Sequence, residues 1–267
     1  MKYKLIALDL DGTLNTDEKT ITPKTRDALL LAQRQGLTIA LCSARPVPGL
    51  YKDMRTLDLE KYHGMLIAYN GGKIVTAYDK KILHQQTFPC SLAKTVLNHL
   101  ENYPVTPIID DGERFYVTDK NGYMVQHECW NNQMECTEVP SLSEFLEFDL
   151  VKILMSVEPE QLWSVLSEIE KPFKDSLVFV RTAPFYIEAM PKGINKAEGL
   201  RRTCEILGIS PEEVIAFGDA ENDLEMIKFA GYGVAMGNAC DALKETADEI
   251  TLTNNEDGIA HSLEHLL

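Results

Sequence analysis

"LIALDLDGTLN", residues 5–15, sets an apolar run against two aspartates one residue apart, followed by glycine and threonine. Leu5 to Leu8 are apolar without alternation, the pattern of a strand buried on both faces. A strand period of 2 sends Asp9 and Asp11 to one side if the strand continues. If the strand ends at Asp9, Gly12 lets the chain turn and Asp11 folds over the same crevice. Either way two carboxylates crowd one point. A divalent cation relieves that crowding, and so does a shared proton, because like charges raise one pKa. Both suit a site with one ionised nucleophile and one acid able to donate a proton. An EF-hand loop starting at Asp9 would need glycine sixth and glutamate twelfth. Those positions hold Leu14 and Thr20.

Outward from this stretch the chain alternates strand and helix. "TPKTRDALLLAQRQG" carries a capping Thr22, Pro23 at the first helical position and Gly36 as a stop. "LTIALCSARP" reads as the next strand, "PGLYKDMRTLDL" as a helix and "GMLIAYNGG" as a strand ending in a turn. The pattern returns after residue 190, with a helix "NKAEGLRRTCEILGI", a strand and helix in "SPEEVIAFGDAENDLEMIKFAG", then "YGVAM", "CDALKETA", "EITL" and "EDGIAHSLEHLL". Such alternation predicts an α/β Rossmann-like core, a parallel sheet with helices on both faces. Residues 83–189 have a different texture. "RFYVT", "VKILMSV", "SLVFVRT" and "FYIEAM" alternate more, and "PEQLWSVLSEIE" is a helix between two of them. About 105 residues is a plausible domain size. The expected organisation is a core from residues 1–82 and 190–267, with an inserted α+β domain at 83–189 built on an antiparallel sheet.

The bulk composition narrows the function. The chain has 267 residues and a formal net charge of −15. A surface this acidic repels nucleic acid and anionic membranes, so neither is an expected partner. An anionic substrate would need a local positive centre. Cys42, Cys90, Cys129, Cys136, Cys204 and Cys240 are scattered with no C-x-x-C pair. They read as reduced thiols in a cytoplasmic protein. The apolar run after Lys4 is short and interrupted by Asp9, unlike a signal peptide. No stretch approaches the roughly 20 apolar residues of a membrane span.

In an open parallel sheet, ligands bind beyond the carboxyl ends of the strands. Polar residues close four segments there: Asp9 and Asp11, Ser43 with Arg45, Asn70, and Asp219. Asp9, Asp11 and Asp219 offer oxygen ligands to a hard cation, and Mg2+ prefers few carboxylates plus waters and phosphate. Glu221 and Asp223 also fit the general preference for acids at a helix start. Lys196 could reach the crevice as a point charge for phosphate. Ser43 and neighbouring N–H groups could bind phosphate oxygens at a helix start. Asn70, before two glycines, reads as a turn residue. "GYGVAMG" misses G-x-G-x-x-G spacing, no Walker A, H-E-x-x-H or G-x-S-x-G sequence occurs, and His63, His84 and His127 have no metal-ligand spacing.

"DLDGTL", "CSAR", Lys196 in "KGINK" and "GDAENDLEM" occur in order, and together they resemble the four motifs of the haloacid dehalogenase-like superfamily. The insert resembles the C2-type cap of its Cof-type branch, and within that branch the sugar phosphatases are the nearest likeness. The resemblance implies that Asp9 is the nucleophile, forming an aspartyl-phosphate, and that Asp11 is general acid and then base. It implies Mg2+ on the carboxylates of Asp9 and Asp219 and the main-chain carbonyl of Asp11. Ser43, Lys196, Asn222 and backbone N–H groups near Leu10 and Ala44 would bind the phosphoryl group. Asp223 would orient the metal shell or Lys196, and Arg45 would touch the leaving group. Members often carry glycine where this chain has Ala44, whose methyl narrows the phosphate loop. A dehalogenase has no need of an acid at Asp11, so the implied activity is a Mg2+-dependent phosphatase for a small phosphorylated metabolite, a sugar phosphate first. A phosphomutase, a cofactor phosphatase such as one for pyridoxal phosphate, and a receiver-like phospho-acceptor module are the alternatives.

Overall fold

The computed structural model describes residues 2–267. The chain opens with β1 (Leu5–Asp9), buried along its whole length. α1 (Pro23–Arg34) begins where the Thr22 side chain accepts from the Thr25 N–H, with proline in the first turn. β2 (Thr38–Cys42), α2 (Tyr51–Thr56), β3 (Met65–Ala68), β4 (Lys73–Thr76) and β5 (Ile82–Gln85) follow. Next come α3 (Cys90–Leu100), β6 (Thr106–Asp110), β7 (Phe115–Val117), α4 (Val125–Asn132), β8 (Cys136–Glu138), α5 (Leu142–Phe145), β9 (Ile153–Ser156), α6 (Leu162–Ile169), β10 (Leu177–Ala183) and β11 (Tyr186–Pro191). The chain closes with α7 (Lys196–Leu207), β12 (Val214–Gly218), α8 (Leu224–Phe229), β13 (Tyr232–Ala235), α9 (Asp241–Thr246), β14 (Glu249–Ile250) and α10 (Gly258–Leu266).

Two compact units result, one running to His84 and resuming over Asn195–Leu267, the other spanning Gln85–Ile194. The breaks fall later than the expected 82/83 and 189/190, the first within β5 and the second beyond the end of β11. The first unit holds a sheet of order β14-β13-β12-β1-β2-β3-β4-β5. β14 through β3 pair in parallel. β1 therefore lies between β2 and β12, which are remote in sequence, and this reversal of strand order opens the ligand crevice of an open α/β sheet. Alternation along the strands sorts the core. Leu5, Ala7, Ala40, Cys42, Val214 and Ala216 pack in one cluster with Leu200 and Cys204 of α7 and Met226 of α8. Ile6, Leu8, Ile39, Leu41, Ile215 and Phe217 on the opposite face are equally buried.

Three details depart from the sequence reading. The helix expected over 48–59 is a 3-10 turn, Val47–Leu50, followed by the short α2. Pro48 within that turn has no N–H to donate, which suits a tight turn better than a long helix. β3 and β4 pair antiparallel, so the sheet is mixed at that end. The second unit has six strands in the order β10-β11-β9-β6-β7-β8. Four of its pairs are antiparallel, but β7 and β8 run parallel, joined by α4. Antiparallel neighbours accept a hairpin, whereas parallel ones need a crossover such as this helix.

Candidate active site

The face that Leu5 and Ala7 share with α7 is also the face of Asp9, by strand alternation. Lys196, the first residue of α7, meets it there. Its Nζ lies 2.5 Å from Asp9 Oδ1 and 2.6 Å from Asp223 Oδ1. The Lys196 side chain is 1% exposed and Asp223 0%. A buried ammonium needs paired charge, and two carboxylates provide it. Burial works against the Lys196 charge, but Asp223 and Asp9 outweigh it and hold its pKa above the usual value.

Asp223 also builds the turn after β12. Its Oδ2 accepts the backbone N–H groups of Asp219 and Ala220, each at 3.1 Å. Asp219 Oδ1 in turn accepts from Thr13 Oγ1 at 2.8 Å. Between Asp11 and Thr13, Gly12 adopts φ +86°, and a Cβ there would overlap the Asp219 carboxylate. Glycine is thus required both for the left-handed turn and for the close approach.

Carboxylate oxygens of Asp9, Asp219 and Asp223 lie within 4.8 Å of one another. Three carboxylates against one lysine leave a net charge of −2 when all are ionised, the charge one divalent cation balances. Burial pushes the Asp9 pKa well up, and Asp223 and Asp219 add to it against the pull of Lys196. Burial likewise raises Asp219, with Asp223 adding and the Thr13 hydrogen bond opposing. A cluster that draws in protons to shed negative charge fits a hard cation bound by oxygen. Asp223 already has both oxygens engaged by Lys196 and backbone N–H groups, so Asp9 and Asp219 are the ligands best placed to hold it.

Asp11 is held by two cations. Arg45 reaches it with Nε 2.8 Å from Oδ2 and Nη2 2.5 Å from Oδ1, and Lys19 Nζ stands 2.6 Å from Oδ1. Burial would raise its pKa, but Arg45 and Lys19 outweigh burial and lower it. In this arrangement Asp11 is an ionised carboxylate clasped by two cations, not a protonated acid. Arg45, expected at the leaving group, holds Asp11 in this arrangement.

The ends of β2 and β3 supply the rest. Ser43 is buried, its Oγ accepting the Arg45 N–H at 3.2 Å and its carbonyl accepting the Asn70 N–H at 2.9 Å. Ala44 is half-buried in the same loop. Asn70 sits at φ 54°, the turn conformation read from the sequence. Its Oδ1 also lies 3.4 Å from Nδ2 of the exposed Asn222, which ties that turn to the loop after β12. Leu10 is buried, and its carbonyl accepts the Asn15 N–H at 2.8 Å. All the expected site residues thus come from one unit of the chain. Thr13, Lys19 and Asn238, whose Nδ2 donates to the Gly12 carbonyl at 2.8 Å, were not singled out in the sequence. Thr13 could have been, since it follows Gly12 in the turn that binds the aspartates. Lys19 and Asn238 act from loops whose course the local sequence does not foretell.

A buried lysine among three aspartates at the carboxyl ends of a parallel sheet is an arrangement suited to phosphoryl groups, on an α/β core. Residues 6–263 match the profile of the haloacid dehalogenase-like hydrolases, and the chain belongs to that family. It is 32% identical over 269 residues to the 5-amino-6-(5-phospho-D-ribitylamino)uracil phosphatase YitU of Bacillus subtilis, with 98% of this chain and 97% of that one covered. A haloacid dehalogenase-like hydrolase from Bacteroides thetaiotaomicron superposes with a TM-score of 0.95 at 35% identity, covering 100% of both chains. A structure described as a subclass IIB sugar phosphatase of the superfamily gives a TM-score of 0.81 at 25% identity, covering 98% of each chain. The family and its phosphatase-named relatives make this protein a phosphatase. Among the described residues, no helix is long and apolar enough to cross a membrane.

Proposed function

We propose that this protein hydrolyses a small phosphorylated metabolite, a sugar phosphate or phosphorylated polyol, with Mg2+ and through an aspartyl-phosphate on Asp9. The observation that carries this reading is the buried Lys196 bridging Asp9 and Asp223. It holds the Asp9 carboxylate in one orientation and leaves a fixed positive charge beside it. In a chain of net charge −15 an anionic phosphoryl group requires that ammonium together with a divalent cation, because three aspartates outnumber Lys196. The relatives named for a phosphoribitylamino compound and for sugars support the substrate class.

Phosphoryl transfer asks chiefly for positioning and charge neutralisation. Asp9 attacks phosphorus in line, and the ester oxygen departs with a proton from Asp11. Asp11 then takes a proton from water as the water oxygen attacks phosphorus, which frees inorganic phosphate and restores Asp9. Lys196, Ser43, Asn222 and the N–H groups near Leu10 and Ala44 hold the phosphoryl oxygens. Mg2+, held by Asp9, Asp219 and the Asp11 main-chain carbonyl, would supply further neutralisation of those oxygens. The clasp on Asp11 bears on the acid step, because a carboxylate between Arg45 and Lys19 resists protonation. On this reading the leaving group draws Arg45 away as it binds, and Asp11 can then carry the proton.

The test is release of inorganic phosphate across a panel of phosphorylated metabolites. Turnover of sugar or polyol phosphates that stops with EDTA and returns with Mg2+ is expected. Activity that survives thorough chelation removes the metal from this reading, and a preference for non-sugar phosphates removes the substrate class.

A further inference from the structure

Beyond β13 the chain turns back over both loops that carry the acidic cluster. The Cys240 N–H donates to the Asp219 carbonyl at 2.9 Å, and the Met236 N–H to the Gly218 carbonyl at 3.0 Å. Asn238, between them, donates from Nδ2 to the Gly12 carbonyl at 2.8 Å. Its Oδ1 accepts the Asn254 N–H at 3.0 Å. Asn254 is itself buried and donates to the Asn15 carbonyl at 2.9 Å and to Asp17 Oδ1 at 3.2 Å. One loop therefore grips the Asp219 segment by its backbone and the Gly12 segment by a side chain.

We propose that Asn238 is a positioning residue of the cation site, setting the distance between the Asp9–Thr13 loop and Asp219. The proposal rests on Asp9 and Asp219 being the Mg2+ ligands. Gly12 has the widest backbone freedom of any residue in the loop and sits at φ +86° with its Cα against the Asp219 carboxylate. A peptide at such a hinge keeps one orientation only if its polar groups are held. The carbonyl is held by Asn238, and the next residue's hydroxyl is held by Asp219. Asn238 touches neither carboxylate directly. Its effect reaches the site through the Gly12 peptide, which lies between Asp11, whose carbonyl is a proposed ligand, and Thr13.

Asn238 is exposed, so Asn238→Ala is expected to fold. Titration calorimetry of the metal-free protein with MgCl2 reads cation affinity without turnover. Asn238→Ala should weaken Mg2+ binding by about three- to tenfold, the scale of one neutral hydrogen bond. At saturating Mg2+, kcat on p-nitrophenyl phosphate should fall while KM holds, with little change in melting temperature. Asn238→Asp keeps the acceptor for Asn254 but loses the donor to Gly12, and its kcat should fall in the same way. A lowered melting temperature with unchanged Mg2+ affinity and kcat would reduce Asn238 to a structural residue and overturn the proposal, as would wild-type behaviour in both variants. Absence of Mg2+ binding in the wild type would instead bring down the metal reading beneath it.

Discussion

Among the described residues two lysines are buried, Lys196 in the sheet-forming core and Lys152 in the inserted unit. Each lies against a carboxylate at short range, Lys152 with Glu188 at 2.6 Å. Each has its charged form favoured, because the partner carboxylates outweigh the cost of burial. Their surroundings differ. Near Lys152 a further acid, Glu128, has its pKa raised by burial and accepts from Asn132 Nδ2 at 2.8 Å. The Lys152 cluster has two acids, Glu188 and Glu128, against one lysine, an excess of one charge when all are ionised. Around Lys196, Asp9, Asp223 and Asp219 exceed the lysine by two charges, and raised pKa values mark the unmet excess. A buried lysine–carboxylate pair is therefore no sign of chemistry in itself. The sign is a cluster whose charge balance requires something from outside.

The largest expected effect separates Asp9 from every other carboxylate. Asp9→Asn keeps the shape but cannot attack phosphorus, and phosphate release should fall by about 10⁴-fold or more, as for other nucleophile deletions. Residual turnover within a factor of about 100 of wild type would remove Asp9 from that role.

Next come the two lysines themselves. Lys196→Met should cost about 10²–10³-fold in kcat, the range for losing one preorganised donor at a developing anion. Lys152→Met should leave kcat per folded molecule unchanged and destabilise the protein by about 3–5 kcal/mol, the cost of orphaning a buried charge. Lys152→Met with Glu188→Leu should recover most of that loss, since replacing a whole buried pair is often neutral. Melting curves and active-site-normalised rates read both effects. A kcat loss in Lys152→Met beyond about tenfold would erase the contrast between the two clusters.

The contrast was only partly legible in the sequence. Asp9, Ser43, Asn70 and Asp219 each close an apolar run, and an alternating strand–helix pattern places such residues at one sheet edge. That much follows from periodicity and handedness. Lys196 opens the helix "NKAEGLRRTCEILGI", and the sheet order, with β1 between β2 and β12, is what carries it to the crevice. The clasp on Asp11 was not legible. Lys19 reaches Asp11 from a left-handed position at φ 58° in the loop before α1, and Arg45 from the end of β2. No local pattern specifies that meeting, because side-chain direction there depends on tertiary contacts. The same holds for β7 and β8, whose short runs carry no signal of direction.

A smaller effect tests the link between the two carboxylate loops. Thr13→Val removes the hydroxyl that donates to Asp219 Oδ1 and keeps the volume of a side chain 1% exposed. A hydrogen bond to a charged group is worth about 1.5–3 kcal/mol, so Mg2+ affinity should weaken by about tenfold or somewhat more. Calorimetric titration with MgCl2 measures it, and unchanged affinity would free Asp219 from dependence on Thr13.

The last expected effect is a melting-temperature shift whose sign follows from the unmet charge. Asp9 and Asp219 have folded-state pKa values raised above those of the unfolded chain. The folded state therefore binds protons more tightly there. The stability this contributes is complete below the unfolded pKa and is lost as pH rises through the folded values. Metal-free protein should accordingly lose part of its stability on going from acid toward neutral pH. Mg2+ competes with those protons and binds the ionised pair, so its stabilisation should grow over the same interval. At about 100 times its Kd the ion contributes ~2.7 kcal/mol, which for a chain of this size is a rise of about 5–10 °C. At a pH low enough to protonate both aspartates the shift should vanish. Lys152 and Glu188 offer an internal control, since that pair requires no added cation and Glu188→Gln should leave the Mg2+-dependent shift intact. A shift equal at acid and neutral pH would mean that the ion binds elsewhere, and the two buried lysines would then differ in their neighbours but not in what those neighbours need.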